Sequence, residues 1–193
     1  MILSSPVRQL QSKPFRYSVI PRALSVDASA ALLDWLETDA PWTLRVAEFY
    51  EQHEFFVTPE VLPAHLRFIV DVAELEDLRE HVASVFDVQL GGRIDVTAHR
   101  LTRGQRIRIH NDFIPGQETH RLLIQLNRGW VDENGGALML FNSAAPSDIH
   151  RILRPVHNSG LLFEISNDSL HAVAPITDGE RFTLVMSFFG SAS

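Results

Sequence analysis

The chain has 193 residues, a hydrophobic content of 45% and a net charge of −7, which indicate one globular domain and argue against nucleic acid as a partner. It contains no cysteine, which excludes disulfides, thiolate nucleophiles and cysteine-ligated metal sites. No apolar segment is long enough to span a bilayer, and the N-terminus lacks the continuous apolar segment of a signal peptide. We therefore expect a cytoplasmic protein with no membrane partner, and the oligomeric state stays open.

Helical spacing dominates the first part of the chain. A helix is predicted over residues 27–37, where Asp27 is a candidate N-cap. Residues 72–86 place apolar side chains at spacings of three and four, which is typical of an amphipathic helix. Thr58-Pro59-Glu60 has the form of another helix start. We therefore predict a helical N-terminal support region over residues 1–90.

After residue 90 the chain indicates short strands separated by turns that contain glycine, proline or asparagine. The predicted strands cover residues 93–101, 106–112, 121–127, 136–141, 160–165, 170–174 and 181–189. Many short strands in one block favour a double-sheet jelly-roll barrel over alternating strands and helices. We expect a single domain over 1–193, mainly β with α, in which the N-terminal helices flank a barrel formed by residues 91–190.

Two histidines and one aspartate are the candidate metal ligands. His110 and Asp112 are two residues apart at the end of a predicted strand, so strand alternation puts both on one face. His171 comes from a distant strand, which a barrel can bring close. Two imidazoles and one carboxylate can hold one face of Fe(II) and leave the opposite positions open for substrate and O2. The spacing therefore predicts a non-haem iron site.

Arg181 follows the last of these residues by ten positions and begins the final predicted strand. A guanidinium group can bind a carboxylate through two parallel hydrogen bonds. Together with the iron site, Arg181 predicts an Fe(II)- and 2-oxoglutarate-dependent oxygenase. The remaining histidines have no comparable sequence context, and we interpret them as surface or structural residues. They are His53, His65, His81, His99, His120, His150 and His157.

The block from Gly104 to Gly190 resembles the prolyl-4-hydroxylase-like branch of the 2-oxoglutarate/Fe(II) dioxygenase superfamily. The resemblance depends on five short motifs that follow one another in the order typical of that branch. They are Gly104-x5-His110-x-Asp112, Arg121-x5-Asn127 with Trp130, Gly135-Gly136-Ala137-Leu138, Phe163-x7-His171-Ala172-Val173-Ala174-Pro175, and Arg181-Phe182-Thr183. The match covers nearly half of the chain.

The resemblance implies a double-stranded β-helix with His110, Asp112 and His171 as iron ligands. It implies that Arg181 binds the distal carboxylate of 2-oxoglutarate. It also implies that the enzyme hydroxylates an unactivated C–H bond with O2 and releases succinate and CO2. The expected substrate is amino-acid-like, either a side chain of a peptide or protein or a small metabolite.

Several further residues are candidate contacts of the co-substrate. Alternation places Thr183 on the face of Arg181, where its hydroxyl can donate to the same carboxylate, although a β-branched strand residue needs no such role. Some prolyl hydroxylases have a tyrosine at the position of Gln125, which shares a face with Leu123 and could replace that hydrogen bond. Many relatives have a tyrosine at the position of Leu101. Both departures weaken the inference of a prolyl substrate.

Two residues are predicted to contact the substrate. Alternation puts Arg108 on the face of His110, where a guanidinium could bind a substrate carboxylate or a peptide carbonyl. Trp130, beside the Arg-x5-Asn motif, is the second candidate.

Two alternatives to this oxygenase stay open at this point. A cupin-type metal enzyme would also contain the Gly-x5-His spacing, but Asp112 stands where cupins usually carry a second histidine. A non-catalytic barrel that binds or senses a ligand would have the same fold. It would have no reason to keep a costly cluster of polar residues.

Overall fold

Two antiparallel sheets face each other, and two helices cover the larger sheet. The structure is a computed structural model that describes residues 2–4, 7 and 9–191. The elements are β1 Tyr17–Ile20, α1 Val26–Thr38, β2 Thr43–Val46, β3 Glu51–Phe56, a 3-10 helix Ala64–Val70, α2 Val72–Phe86, β4 Leu90–Leu101, β5 Ile107–His110, β6 Glu118–Gln125, a 3-10 turn Asp132–Asn134, β7 Leu138–Phe141, β8 Ile149–Leu153, β9 Gly160–Glu164, β10 His171–Val173 and β11 Arg181–Gly190.

Within the described residues the major sheet has seven strands in the order β1-β9-β6-β11-β4-β3-β2. The minor sheet has four strands in the order β5-β10-β7-β8. Strands that are distant in sequence are neighbours in both sheets, as a jelly roll requires. The predicted fold class, mainly β with flanking helices and a double-stranded β-helix core, is confirmed.

Both predicted helices are present and have identifiable starts. The Ser25 hydroxyl caps α1 by accepting a hydrogen bond from the Ala28 amide. The Asp71 carboxylate caps α2 by accepting from the amides of residues 73 and 74. The helix α2 ends at Asp87, whose φ of 53° lies in the left-handed region. The segment Thr58-Pro59-Glu60 begins no α-helix and leads through a turn into the 3-10 helix.

Alternation along the strands of the major sheet separates two hydrophobic cores. The outer core lies between this sheet and the two helices and includes Leu184 and Met186 of β11. The inner core lies between the two sheets and includes Val185 of the same strand. Both faces of β11 are therefore buried, and the inner face borders the cavity between the sheets.

The first 90 residues also form strands, which the helical periodicity did not predict. Strands β2 and β3 form a hairpin that pairs with β4, and β1 pairs with β9 at the opposite edge. All four residues of β2 are exposed, so this strand carries no alternating apolar pattern. The N-terminal region therefore completes the sheet as well as covering it.

Candidate active site

Three side chains converge on one point, two from neighbouring strands of the minor sheet and one from the turn that follows β5. His110 ends β5 and faces His171, its Cα partner at the start of β10. The His110 Nε2 lies 3.3 Å from one oxygen of Asp112, and the His171 Nε2 lies 3.2 Å from the other. Metal–ligand bonds of about 2.1 Å at right angles separate ligand atoms by about 3 Å. This group could therefore hold a metal ion on one face.

Both imidazole rings are oriented by hydrogen bonds to backbone carbonyls. The Nδ1 of His110 lies 2.9 Å from the carbonyl of Arg108, and the Nδ1 of His171 lies 2.7 Å from the carbonyl of Ser169. A carbonyl can only accept, so each Nδ1 carries the proton and each Nε2 presents a lone pair. Such outer hydrogen bonds fix metal-binding histidines in the required tautomer. The donor set fits Fe(II).

Asp112 reaches the site through a turn and not through a strand. Strand β5 ends at His110, and Asp112 has a φ of 59°, in the left-handed region. Burial alone would raise the pKa of the Asp112 carboxyl, but the groups around it, the Arg121 guanidinium first among them, hold that pKa well below its usual value. The Arg121 guanidinium is 2.5 Å from Asp112 and also pairs with Glu118. The carboxylate is therefore ionised and oriented for a cation.

The three candidate ligands line a cavity of about 340 Å³ between the two sheets. Arg181 lines the same cavity and is 4% exposed. Among the described residues none forms an ion pair with Arg181, and its Nε has no hydrogen-bond partner. Burial lowers the pKa of this guanidinium to about 10, so it remains charged at neutral pH. A buried, unpaired cation in a cavity indicates an anionic ligand.

The chain packs closely behind Arg181. The Asn127 side chain accepts a hydrogen bond from the Phe182 amide at 2.7 Å and so fixes the start of β11. Gly136 has a φ of +64°, and a Cβ there would lie 3.1 Å from the Arg181 side chain and 3.0 Å from Trp130. Trp130 donates a hydrogen bond from Nε1 to the carbonyl of Gly135. These residues of the sequence motifs therefore form the wall that supports Arg181.

The other predicted co-substrate contacts lie beside Arg181. Thr183 and Leu123 line the cavity. Gln125 is the Cα partner of Thr183, and its Oε1 accepts a hydrogen bond from the Thr183 hydroxyl at 3.1 Å. The Thr183 hydroxyl therefore already has a partner within the protein.

The predicted placement of Arg108 on the face of His110 is wrong. The pairing of β5 with β10 contains a bulge, because His110 pairs with His171 whereas Ile107 pairs with Val173. The extra residue interrupts the alternation, so Ile107 and His110 face the cavity while Arg108 is exposed and lines a separate surface depression.

The predicted location of Trp130 in the substrate-facing part of the cavity is also not observed. Trp130 packs on the inner core behind Arg181 and does not line the cavity that holds the three candidate ligands. Its indole is therefore placed to support the anion-binding end. Neither Arg108 nor Trp130 gains support as a substrate contact from this geometry.

Three residues that the structure brings to the cavity were not among the predicted site residues, although Arg121 belongs to the Arg121-x5-Asn127 motif. Phe49, at the tip of the hairpin between β2 and β3, stacks on His110 with ring centroids 4.6 Å apart. Arg121 contacts Asp112, and His99 lines the wall between Thr183 and Glu54. Strand alternation on β4 could have found His99, which shares the inward face with Leu101.

Comparisons with known proteins agree with this geometry. The sequence pattern of the 2OG-Fe(II) oxygenase superfamily matches residues 96–189, which contain all three candidate ligands and Arg181. The chain is 26% identical over 122 residues to prolyl 3-hydroxylase OGFOD1 of Xenopus laevis. That match covers 61% of this chain and 24% of the relative, so the chain corresponds to about a quarter of that protein.

Solved structures show the same fold. A Pseudomonas putida prolyl-4-hydroxylase superposes with a TM-score of 0.74 at 19% identity, over 90% of this chain and 92% of the other. A Trichoplax adhaerens prolyl hydroxylase in complex with a hypoxia inducible factor peptide superposes with a TM-score of 0.69 at 14% identity, over 92% of this chain and 87% of the other. Within residues 2–4, 7 and 9–191, no helix is long and apolar enough to cross a membrane. Residues 96–189 therefore carry the sequence pattern of the 2OG-Fe(II) oxygenase superfamily, and the chain shares its fold with prolyl hydroxylases.

Proposed function

We propose that this enzyme hydroxylates an unactivated C–H bond of an amino-acid-like substrate, with succinate and CO2 as coproducts. The substrate is a side chain of a peptide or protein, or a small metabolite of similar chemistry. The relative from Xenopus laevis is named a prolyl 3-hydroxylase, and the Trichoplax adhaerens structure contains a peptide. These names support a peptide or protein as the first substrate class to test.

In this proposal His110, Asp112 and His171 hold Fe(II), and Arg181 binds the distal carboxylate of 2-oxoglutarate. The observation that carries it is the buried, unpaired guanidinium of Arg181 in the cavity that these three residues also line. Bound Fe(II), 2-oxoglutarate and O2 supply the oxidant that inserts oxygen into the C–H bond. The protein contributes ligand orientation, a charged anchor and a sheltered cavity.

The side chains around the anchor have distinct roles in this assignment. Thr183, held by its hydrogen bond to Gln125, forms the polar wall beside the distal carboxylate, and Leu123 forms the adjacent apolar wall. Arg121 orients Asp112 through a 2.5 Å contact, which leaves the other carboxylate oxygen for the metal. The substrate would enter past the exposed side chains at the mouth of the cavity, Phe56 and Ile114.

The direct test is an anaerobic titration of metal-free protein with Fe(II) and 2-oxoglutarate, which follows the visible metal-to-ligand charge-transfer band. We expect a band in the unchanged protein and none in His171→Ala. Arg181→Ala should require far higher 2-oxoglutarate to reach saturation, because the charged anchor is lost. A band in His171→Ala as strong as in the unchanged protein would contradict the ligand assignment.

Two matched variants control for nonspecific damage. Arg100→Ala removes a half-buried arginine from the opposite face of the major sheet, where it contacts Trp42 and Glu180. His157→Ala removes a half-buried histidine outside the cavity. Both should leave the band and the 2-oxoglutarate affinity unchanged. Peptides, including prolyl peptides, are then screened by succinate release, and product is located by mass spectrometry.

A further inference from the structure

His99 occupies a position on the cavity wall to which the reaction scheme assigns no role. It lies on β4, and its Cα partner on β11 is Thr183. On the other side its partner is Glu54 of β3. It lines the cavity that also contains Arg181 and the three candidate metal ligands. The charges of Arg121, Asp112 and Arg181 all act on the His99 ring.

The His99 imidazole is neutral and incompletely hydrogen-bonded. Burial lowers its pKa to about 3, Arg121 and Arg181 add to this effect, and Asp112 opposes it. A neutral ring carries one N–H and one lone pair. Its Nε2 lies 3.2 Å from the hydroxyl oxygen of Thr97, and this is the hydrogen bond found for the ring among the described residues. The second nitrogen, Nδ1, is therefore available to a ligand.

The hydrogen bond to Thr97 is compatible with either tautomer of His99, because a threonine hydroxyl can both donate and accept. An oxygen ligand at Nδ1 selects the tautomer with the proton on Nδ1, and the Thr97 hydroxyl then donates to Nε2. In that tautomer Nδ1 is a donor on a side chain that lines the cavity. A donor at this place suits an anionic or carbonyl oxygen, as 2-oxo acids carry, and does not suit a cation.

The side chains next to His99 on this wall are not free to donate a hydrogen bond to a ligand in the cavity. Leu101, the next inward residue of β4, is the Cα partner of Arg181, and its apolar side chain offers no hydrogen bond. The Thr183 hydroxyl already donates to Gln125. The His99 Nδ1 is therefore a neutral group on this wall for which the described chain offers no partner.

We propose that His99 donates a hydrogen bond from Nδ1 to bound 2-oxoglutarate, and that Thr97 positions the His99 ring through its hydrogen bond to Nε2. This inference rests on the proposed function, because it requires that the ligand of Arg181 is 2-oxoglutarate. His99 thereby acts as a second anchor beside Arg181, and Thr97 acts through it as a positioning residue. The interpretation of His99 as a surface or structural histidine is replaced by a role in binding the co-substrate.

The test measures 2-oxoglutarate affinity in anaerobic, Fe(II)-loaded protein from the charge-transfer band, and Fe(II) affinity separately before 2-oxoglutarate is added. His99→Ala should raise the 2-oxoglutarate Kd about tenfold or more, since a hydrogen bond to a charged group contributes about that much. Fe(II) affinity should stay unchanged, because His99 is not a ligand. His99→Gln keeps an N–H donor and should recover part of the affinity.

Thr97→Val should raise the 2-oxoglutarate Kd less than His99→Ala does, because the ring remains but loses the hydrogen bond that orients it. The control is His120→Asn, which replaces a more deeply buried histidine that packs against Phe86 outside the cavity. It should leave the 2-oxoglutarate Kd unchanged. Circular dichroism establishes that every variant is folded before it is titrated.

The outcomes separate this proposal from the proposed function. A normal band in the unchanged protein with an unchanged Kd in His99→Ala would overturn the role of His99 alone. If His99→Ala weakens Fe(II) binding before 2-oxoglutarate is added as much as it weakens 2-oxoglutarate binding, the role of His99 is also overturned, because His99 would then act on the metal. If the unchanged, iron-loaded protein shows no band, the co-substrate assignment and this inference fail together.

Discussion

Alternate residues of β11 serve two different layers of the molecule. Leu184 and Met186 face the helices and are fully buried in an apolar core. Arg181 and Thr183 face the other sheet, where they are equally buried but line a cavity. One face of the strand therefore contributes stability and the other contributes chemistry, although a sequence scan sees both as buried.

Burying the polar face of β11 costs free energy of folding, and the burial of its apolar face has to offset that cost. Burial lowers the pKa of Arg181 to about 10, which means that the folded protein holds this charge less favourably than water does. The outer core gains free energy from each apolar side chain that it removes from water, about 1.5–3 kcal/mol for a large one. The helices α1 and α2 therefore make the polar cavity possible without contributing to it.

The largest expected effect comes from the outer face. Leu184→Ala should destabilise the protein by about 2–5 kcal/mol, because Leu184 is completely buried between sheet and helices. Urea unfolding measures this loss. The 2-oxoglutarate Kd of the folded variant should not change. Val185→Ala, on the inner face, should cost less stability because its side chain borders a cavity. Equal losses would mean that the two faces do not differ as described.

The second prediction concerns how the stability of the protein depends on pH through His120, which lies on the outer face of the major sheet. Burial lowers the pKa of His120 to about 4, whereas the unfolded chain takes up this proton near the ordinary value of 6.5. The unfolded state therefore binds more protons between these values, so stability is present above pH 6.5 and is lost as pH falls towards 4. The loss attributable to His120 is on the order of 3 kcal/mol.

Urea unfolding at pH 7 and at pH 4.5 checks this prediction. His120→Asn should reduce the difference between the free energies of unfolding at the two pH values, because asparagine does not titrate. His99, with a pKa of about 3, adds an acid-side loss of the same sign and remains in that variant. If His120→Asn loses as much stability on acidification as the unchanged protein, His120 does not bear the acid sensitivity of the outer face.

The third prediction concerns the wall behind Arg181. Gly136→Ala should cost about 1–3 kcal/mol through strain at its positive φ. The added methyl would lie 2.6 Å from the Ile176 side chain, 3.0 Å from Trp130 and 3.1 Å from Arg181, so the packing that holds Arg181 should shift. We expect the 2-oxoglutarate Kd to rise about tenfold, the effect of a 1.4 kcal/mol loss. Gly129→Ala is the matched control, because Gly129 has the same φ of +64° but a Cβ there meets nothing within 4 Å. Similar affinities in both variants would contradict contact with Arg181.

The smallest effect is expected at the mouth of the cavity. Phe56 is 62% exposed, so Phe56→Ala should change the free energy of unfolding by less than about 0.5 kcal/mol. The 2-oxoglutarate Kd should stay unchanged, because Phe56 is far along the sheet from Arg181. We expect Phe56→Ala to differ from the unchanged protein in succinate release with an identified substrate. A shift in the 2-oxoglutarate Kd would show that the mouth and the anchor are not independent.

The sequence predicted those elements whose physical signal is local. The helix over 72–86 has apolar residues at helical spacing and an aspartate cap, and it is present with these bounds. The strands after residue 90 were found because alternation and turn residues mark them. Strand β8 was missed since its side chains are mostly exposed and show no alternation, and the same holds for the edge strand β2.

The sequence predicted correctly which candidate ligands lie close together. It predicted less well which local structure places each residue. His110 and Asp112 share a site, but a turn with positive φ, not a continuous strand, brings Asp112 there. A bulge in β5 moved Arg108 to the surface, and bulges leave no reliable trace in a single sequence. His99 was missed because its importance comes from its neighbour Thr183, 84 positions further along the chain.

The two segments that carry the candidate ligands are tied together apart from any metal. The Ser169 hydroxyl, just before β10, donates to the carbonyl of Asn111 at 2.8 Å, and the Asn111 side chain donates to the carbonyl of Asn167. The loop after β5 and the turn before β10 therefore form one unit that opens as a whole. Amide protons on both segments should then exchange with solvent at a common rate. A bound ion would leave only when both segments separate, so its release would be as slow as that opening.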